Sequence, residues 1–301
     1  MVPAIFKDNT LQAKFDNQGF VVVPFLEEKD VKLLNNIFDE LHPAVNSQGG
    51  FVSGSYSNDL EYKKQASDRI TQVFSKNYDR LFENYQTFGA AFLYKVPSAG
   101  SELGAHQDWT IVDEEKFVAL NCWVPLTDIN EVNGALHVLP RSQYSKYNTL
   151  RAPTIPFFFS GNESEVIKRS MPFYVKAGEA VILNQSVIHY SPPNKSSEVR
   201  KAITAGIKTK GAPMIFHYKN PEDKIEKFEM PEDFLIRFEN FATSIFESPK
   251  LGRKISSTDF KNPVLSQENL INTLNKLASK SEERTRPRMF LKKFFSKAKS
   301  L

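Results

Sequence analysis

The chain has 301 residues, 41% of them apolar and 25 of them Phe, which suffices for one large or two small domains and excludes a collagen-like or disordered chain. One cysteine, Cys122, and no Cys-x-x-Cys pair exclude an internal disulfide and a cysteine zinc site. The net charge is +4, yet seven Lys/Arg lie between Arg284 and Lys299 and the remainder carries 32 basic against 35 acidic residues, so the basicity belongs to a tail and no nucleic-acid motif accompanies it.

The opening residues, Met1 to Gln12, lack the apolar run of a signal peptide, and no stretch of about 18 apolar residues occurs. A cytoplasmic protein is expected. Phe20–Phe25 reads as a short strand. Val31, Leu34, Phe38 and Leu41 then recur at helical spacing, which predicts a helix over Glu27–Leu41 that ends before Pro43. Ala44–Asn58, rich in Ser, Gly and Asn, reads as a loop, and Leu60–Tyr85 as mostly helix.

From Ala91 the period shortens. Strands are predicted at Ala91–Val96 and at Phe117–Leu126, the second with Phe117, Ala119, Asn121 and Trp123 on one face. Asn133-Gly134 marks a turn before a strand at Ala135–Leu139. Pro172–Val175 and Ala180–Leu183 flank Ala177-Gly178-Glu179 and read as a hairpin, and Arg200–Ile207 as the last clear strand. The long Tyr144–Ser170 segment, with its Phe157-Phe158-Phe159 run, reads equally as a functional loop or as core packing. After Gly211 the strand signal fades. Pro231–Phe246 and Gln267–Leu277 look helical, the latter capped by Ser266. The fold class expected is mainly β with helical cover, a β-sandwich or jelly roll. Its body spans residues 1–250, and a helical, basic tail covers 251–301.

Of the five histidines, His106 and His189 matter most. In extended chain His106 and Asp108 point to the same side, so one imidazole and one carboxylate can reach one ion. A second imidazole, His189, completes a two-His, one-carboxylate set that leaves positions open on iron(II) for a bidentate co-substrate and O2. The His-x-Asp spacing alone is weak. Arg200 strengthens it: alternation puts Arg200 beside the small Ala202 and Thr204, and a guanidinium matches a carboxylate. Ser191 can add a hydroxyl. Cys122 reads as a packed thiol and His137 as structural. His42 and His217 read as ordinary surface or helix-end residues.

Several stretches stand in order: Phe15-Asp16-Asn17-Gln18-Gly19-Phe20, His106-Gln107-Asp108, Trp123-Val124-Pro125-Leu126, Asn133-Gly134-Ala135-Leu136-His137-Val138-Leu139-Pro140-Arg141-Ser142, His189-Tyr190-Ser191 and Arg200. With them the chain resembles the phytanoyl-CoA dioxygenase family over roughly residues 10 to 210. The resemblance implies a double-stranded β-helix (jelly roll, cupin-like) core, with iron(II) held by His106, Asp108 and His189, and 2-oxoglutarate and O2 as co-substrates. It implies Arg200 on the far carboxylate of 2-oxoglutarate, helped by Ser191, with Gln107 and Trp123 lining the pocket. Gln143 departs from the family, which often has His there.

The resemblance further implies hydroxylation of a C–H bond of a small molecule, with release of succinate and CO2. Related halogenases lack the carboxylate that Asp108 supplies. Substrate choice is expected from Ala44–Asn58 and Tyr144–Ser170. Rival readings are a JmjC-like protein hydroxylase, a non-catalytic metal-binding protein of the same fold, and a zinc hydrolase. The basic amphipathic stretch Met289–Lys297 reads as a solvated tail, with a membrane surface as the lesser alternative. Oligomeric state is not legible.

Overall fold

The computed structural model describes residues 4–43, 45, 50–147, 150–261 and 264–285. Asp8 opens α1 (Asn9–Gln18), its carboxylate accepting from the N–H groups of Thr10 and Leu11, a cap worth about 1 kcal/mol. Gly19, at φ 84°, ends that helix and turns the chain into β1 (Phe20–Pro24). Glu27 and Asp30 form a capping box at the start of α2 (Glu28–Leu41), which buries Leu34, Ile37 and Phe38. β2 (Phe51–Ser53) follows, then α3 (Leu60–Leu81), capped by the Asp59 carboxylate.

The strands then succeed one another: β3 (Tyr85–Lys95), β4 (Leu103–His106), β5 (Ala119–Pro125) and β6 (Leu136–Val138). A short α4 (Glu163–Ile167) precedes β7 (Met171–Phe173), β8 (Glu179–Asn184), β9 (His189–Ser191) and β10 (Arg200–Thr209). β11 (Met214–Lys219) and β12 (Lys224–Met230) come next, followed by the single turns α5 (Phe234–Arg237) and α6 (Phe241–Ser244). β13 (Arg253–Asp259) and α7 (Gln267–Thr285) close the described chain.

Two antiparallel sheets make the jelly roll. The larger has the order β1-β8-β5-β10-β3-β2 and the smaller β4-β9-β6-β7. Alternation along the large sheet sorts its two faces. Leu120, Cys122, Val124, Ile182, Ile203, Ala205 and Ile207 pack outward against Phe15, Leu34, Phe38, Ile70, Phe74 and Tyr78 of the helices. Trp123, Val181, Leu183 and Ala202 face inward, against Leu136, Val138 and Phe173 of the small sheet. Helical cover on one face thus leaves the space between the sheets for a site. No described helix is long and apolar enough to cross a membrane.

The third sheet, β11-β12-β13, was not expected, because its strands do not alternate cleanly. In β12 the buried residues are Ile225, Phe228 and Met230, and a bulge between Lys227 and Phe228 breaks the period of two. β13 is exposed throughout, so residues 253–259 are strand where a helical tail was expected. β2 likewise occupies part of the Ala44–Asn58 stretch that reads as loop.

The hairpin expected across Ala177-Gly178-Glu179 does not form. β7 pairs with β6 in the small sheet and β8 with β1 and β5 in the large one, so this turn carries the chain between sheets. Gly178, at φ +87°, has a backbone so close to Leu26 that a Cβ would lie 3.0 Å from its carbonyl oxygen. The predicted helix over Pro231–Phe246 reduces to α5 and α6, whereas Ser266 does cap α7, its hydroxyl accepting from Asn269 N–H at 3.4 Å. The Met289–Lys297 stretch lies outside the described residues.

His217, expected at the surface, is buried in β11 with its Nδ1 unpartnered. Burial, and then the charge of Lys227, push its imidazole down to about 4 from an ordinary 6.5. Between those values the unfolded chain takes up a proton that the folded chain refuses. Stability is therefore full above the unfolded value and is lost as pH falls from 6.5 toward 4, at about 1.4 kcal/mol per pH unit for one proton. Thermal unfolding at pH 7 and pH 5 is expected to show a smaller acid loss in His217→Gln than in the parent chain. An equal loss in both would place the titrating group elsewhere.

Candidate active site

The site begins where the two sheets' connections meet. β4 pairs antiparallel with β9 so that His106 stands opposite His189. Their ring centroids lie 4.2 Å apart at 53°. His106 Nδ1 bonds the Gly104 carbonyl at 2.8 Å and His189 Nδ1 bonds the Val187 carbonyl at 3.0 Å. Each bond fixes a tautomer in which Nδ1 carries the proton and Nε2 offers its lone pair. Burial and then the neighbouring His189 push His106 down to about 4, so its imidazole is neutral at pH 7.

Asp108, two residues beyond His106, brings a carboxylate oxygen to 3.9 Å from His189 Nε2. One donor atom from each of His106, Asp108 and His189 lies within 4.8 Å of the others. Two imidazoles and one carboxylate, so spaced, fit a single divalent ion.

Residues around the cluster hold it in place. Asp108 Oδ2 accepts from Asn121 Nδ2 at 3.3 Å, and Asn121 Oδ1 accepts from the Thr204 hydroxyl at 2.7 Å. The sequence placed Asn121 and Thr204 on inward faces without a role. Arg151 went unnoticed. Its Nε donates to the Asp108 carbonyl at 2.8 Å, its N–H donates to Thr110 Oγ1 at 3.1 Å, and its guanidinium grips Glu114. It sits in the irregular Tyr144–Ser170 segment, where no periodicity could single it out. Elsewhere in that segment, Phe158 and Phe159 are buried against Leu139, Ile188 and α7, so the Phe run is core packing.

A cavity of about 300 Å³ opens beside the cluster. Arg200 lines it, only 3% exposed, with its guanidinium 5.6 Å from the Trp123 ring centroid. No described carboxylate pairs with Arg200, and its buried Nε has no hydrogen-bond partner. Lys95 is fully buried nearby, donating to the carbonyls of Ser191 at 2.8 Å and Pro192 at 2.6 Å. Burial and then the Arg200 charge push Lys95 down to about 7. The Glu102 charge opposes that shift only in part. Arg200 is thus a buried cation lining the cavity, which an anion would neutralise.

Ser191 also lines the cavity, but its hydroxyl donates to the Gly134 carbonyl at 2.8 Å, so a ligand meets its oxygen as an acceptor unless the hydroxyl turns. Gln107 is buried on the cavity wall, where its amide donates to the Ser186 carbonyl. Cys122 faces the helices, away from the site, and burial pushes its thiol far up. His137 stacks on Tyr190 and bonds the Ala135 carbonyl, a structural placement. His42 ends α2, bonded to the Tyr62 hydroxyl.

The cavity's other arm draws on the expected Ala44–Asn58 stretch through Phe51 and Ser53–Tyr56, and on no described residue of Tyr144–Ser170. It draws instead on Leu235, Ile236 and Phe241, from the part of the chain that carried no recognisable motif. Phe241 is stacked on Tyr56 at 4.4 Å and on Trp109 at 5.6 Å, closing the arm with three rings.

A two-sheet jelly roll with an inward His-x-Asp pair, a distant His and a buried Arg defines the class of cupin-like oxygenases. The phytanoyl-CoA dioxygenase (PhyH) family model matches residues 15–202, and the chain belongs to that family. Members work with iron(II), 2-oxoglutarate and O2. Phytanoyl-CoA dioxygenase 1 of Oryza sativa subsp. japonica is 26% identical over 182 residues, covering 59% of this chain and 57% of that protein. Phytanoyl-CoA dioxygenase domain-containing protein 1 of Danio rerio is 32% identical over 120 residues, 38% of this chain and 41% of that protein. The match thus spans about half the length of these curated relatives. Among solved structures, the non-heme alpha ketoglutarate dependent carbocyclase SnoK from nogalamycin biosynthesis shares the fold. Its TM-score is 0.51 at 16% identity, covering 69% of this chain and 86% of that one.

Proposed function

We propose that this chain is an iron(II)- and 2-oxoglutarate-dependent dioxygenase that hydroxylates a C–H bond of a small molecule, releasing succinate and CO2. The observation that carries the reading is Arg200: a guanidinium buried with no described acid paired to it, lining the same cavity as the His106, Asp108 and His189 donor set. A dicarboxylate co-substrate answers both features, one end chelating the metal and the other pairing with the guanidinium. A zinc hydrolase would need the three donors but not the buried cation.

In this reading His106 Nε2, His189 Nε2 and an Asp108 oxygen would hold the iron, and Asn121 Nδ2, donating to Asp108 Oδ2, would orient the carboxylate. Trp123 forms the wall against the Arg200 guanidinium. Gln107 fixes the turn at Ser186. The bound iron and 2-oxoglutarate supply the oxidising power, while the chain supplies position and a water-poor pocket. Anaerobic titration of the purified chain with ferrous iron and 2-oxoglutarate tests the proposal. A weak visible charge-transfer band that needs both additions is expected. Iron bound without any dependence on 2-oxoglutarate would remove it.

A further inference from the structure

The cavity contains a second buried cation that the reaction above does not use. Lys63 lies on the inward face of α3 with Ala66, Ser67 and Ile70, and is only 4% exposed. It lines the cavity arm formed by Tyr56, Phe88, Trp109, Ile111, Leu235 and Phe241. Among the described residues its ammonium makes one hydrogen bond, to the Phe238 carbonyl at 2.5 Å, although it carries three donors. No described carboxylate lies within 4.0 Å of it, and Glu239 acts on it only from farther away. A lysine whose sole task was to hold the 234–241 segment to α3 would not need a charge in an apolar wall, since a neutral donor makes the same bond to a carbonyl. Burying the charge has a desolvation cost that one carbonyl offsets poorly.

We infer that Lys63 recognises the substrate, and that the substrate is an apolar molecule carrying one acidic group, which pairs with this ammonium while the apolar body lies among the surrounding rings. The inference rests on the dioxygenase reading for the word substrate, but the binding it describes needs no iron. Arg200 and Lys63 then divide one cavity between two anions: the co-substrate at one cation and the substrate's acid at the other. Phe88, Trp109, Ile111, Leu235, Ile236 and Phe241 offer the body of the substrate an apolar wall.

The chain's two tryptophans, Trp109 and Trp123, both line the cavity, so intrinsic fluorescence reports on it directly. The test titrates the iron-free full chain with decanoate and with 1-decanol, an acid and a neutral molecule of equal length. Decanoate is expected to bind at least about tenfold more tightly than 1-decanol, the scale of one charge-assisted hydrogen bond in a dry site. Lys63→Met is expected to erase that preference while holding decanol affinity within about twofold. Lys63→Arg is expected to keep most of the preference, and Lys63→Gln stands in should the Met variant fail to fold. Equal binding of the two probes to the parent chain overturns the inference. So does a preference that survives Lys63→Met, or an equal loss of both probes, which would mark Lys63 as a strut. A preference lost in Arg200→Met but kept in Lys63→Met also overturns it, because the acid then sits at the guanidinium. None of these arms contains iron, so failure of the dioxygenase reading shows separately, in the ferrous titration.

Discussion

Asp108→Ala is expected to abolish iron-dependent succinate release, lowering it by more than about a hundredfold, because residues one shell further out already cost 10- to 100-fold when removed. Asp108 is the carboxylate of the three-donor set, so its loss would leave a divalent ion with two imidazoles and no anionic ligand. Fold loss is not the expected cause. The main chain at this point is tied independently, through the Asp108 carbonyl to Arg151 and the Thr110 N–H to the Arg151 carbonyl at 2.9 Å. The variant should therefore melt close to the parent temperature in the absence of metal. A variant that melts normally and still releases succinate at more than a tenth of the parent rate would take Asp108 out of the metal site.

Arg200→Met is expected to raise the KM for 2-oxoglutarate by about a hundredfold, while kcat at saturating co-substrate falls much less. A charge-assisted pair in a dry site contributes about 1.5–3 kcal/mol, and each 1.4 kcal/mol is tenfold. The same change removes an unpaired buried cation next to Lys95, a repulsion that the ligand-free chain bears alone. The ligand-free variant should thus be no less stable than the parent, and the thermal shift on adding 2-oxoglutarate to the iron-loaded chain should vanish. Unchanged KM, or an undiminished thermal shift, would mean that the co-substrate's far carboxylate lies elsewhere.

The parts of the fold that the sequence revealed are those where burial alternates without interruption. β5 and β10 each send one residue series to the helices and the next into the cavity, and that pattern reads directly as apolar beside small or polar residues. α2 was legible from its apolar spacing and the Pro that follows. The three-donor cluster was legible because His106 and Asp108 are near in sequence and the family's ordered motifs include His189. The long-range register that sets His106 opposite His189 was not, since nothing local encodes a pairing between chain segments more than 80 residues apart.

Other features stayed hidden for particular reasons. β12 is Lys- and Glu-rich and carries a bulge, so its buried Ile225, Phe228 and Met230 fall out of step. Arg151 meets the 108–110 segment through the Asp108 carbonyl and the Thr110 N–H and hydroxyl, and contacts of that kind leave no residue pattern. Lys63 lies in a helix that the sequence outlined without sorting its faces, and its bond to the Phe238 carbonyl of a distant segment leaves no local pattern. The Phe residues were ambiguous in sequence, and the structure separates them. Phe158 and Phe159 fill a core under α7, while Phe88 and Phe241 line the cavity.

The claim on which the rest depends is that one ferrous ion and one 2-oxoglutarate share the cavity bounded by His106, Asp108, His189 and Arg200. Anaerobic equilibrium dialysis of the purified chain against both, followed by metal and keto-acid analysis, measures it directly. The account predicts close to one iron per chain and, only when iron is present, close to one 2-oxoglutarate, with the keto acid lost in Arg200→Met and the iron lost in Asp108→Ala. Keto-acid retention that is indifferent to iron, or iron retention that survives Asp108→Ala, would contradict it.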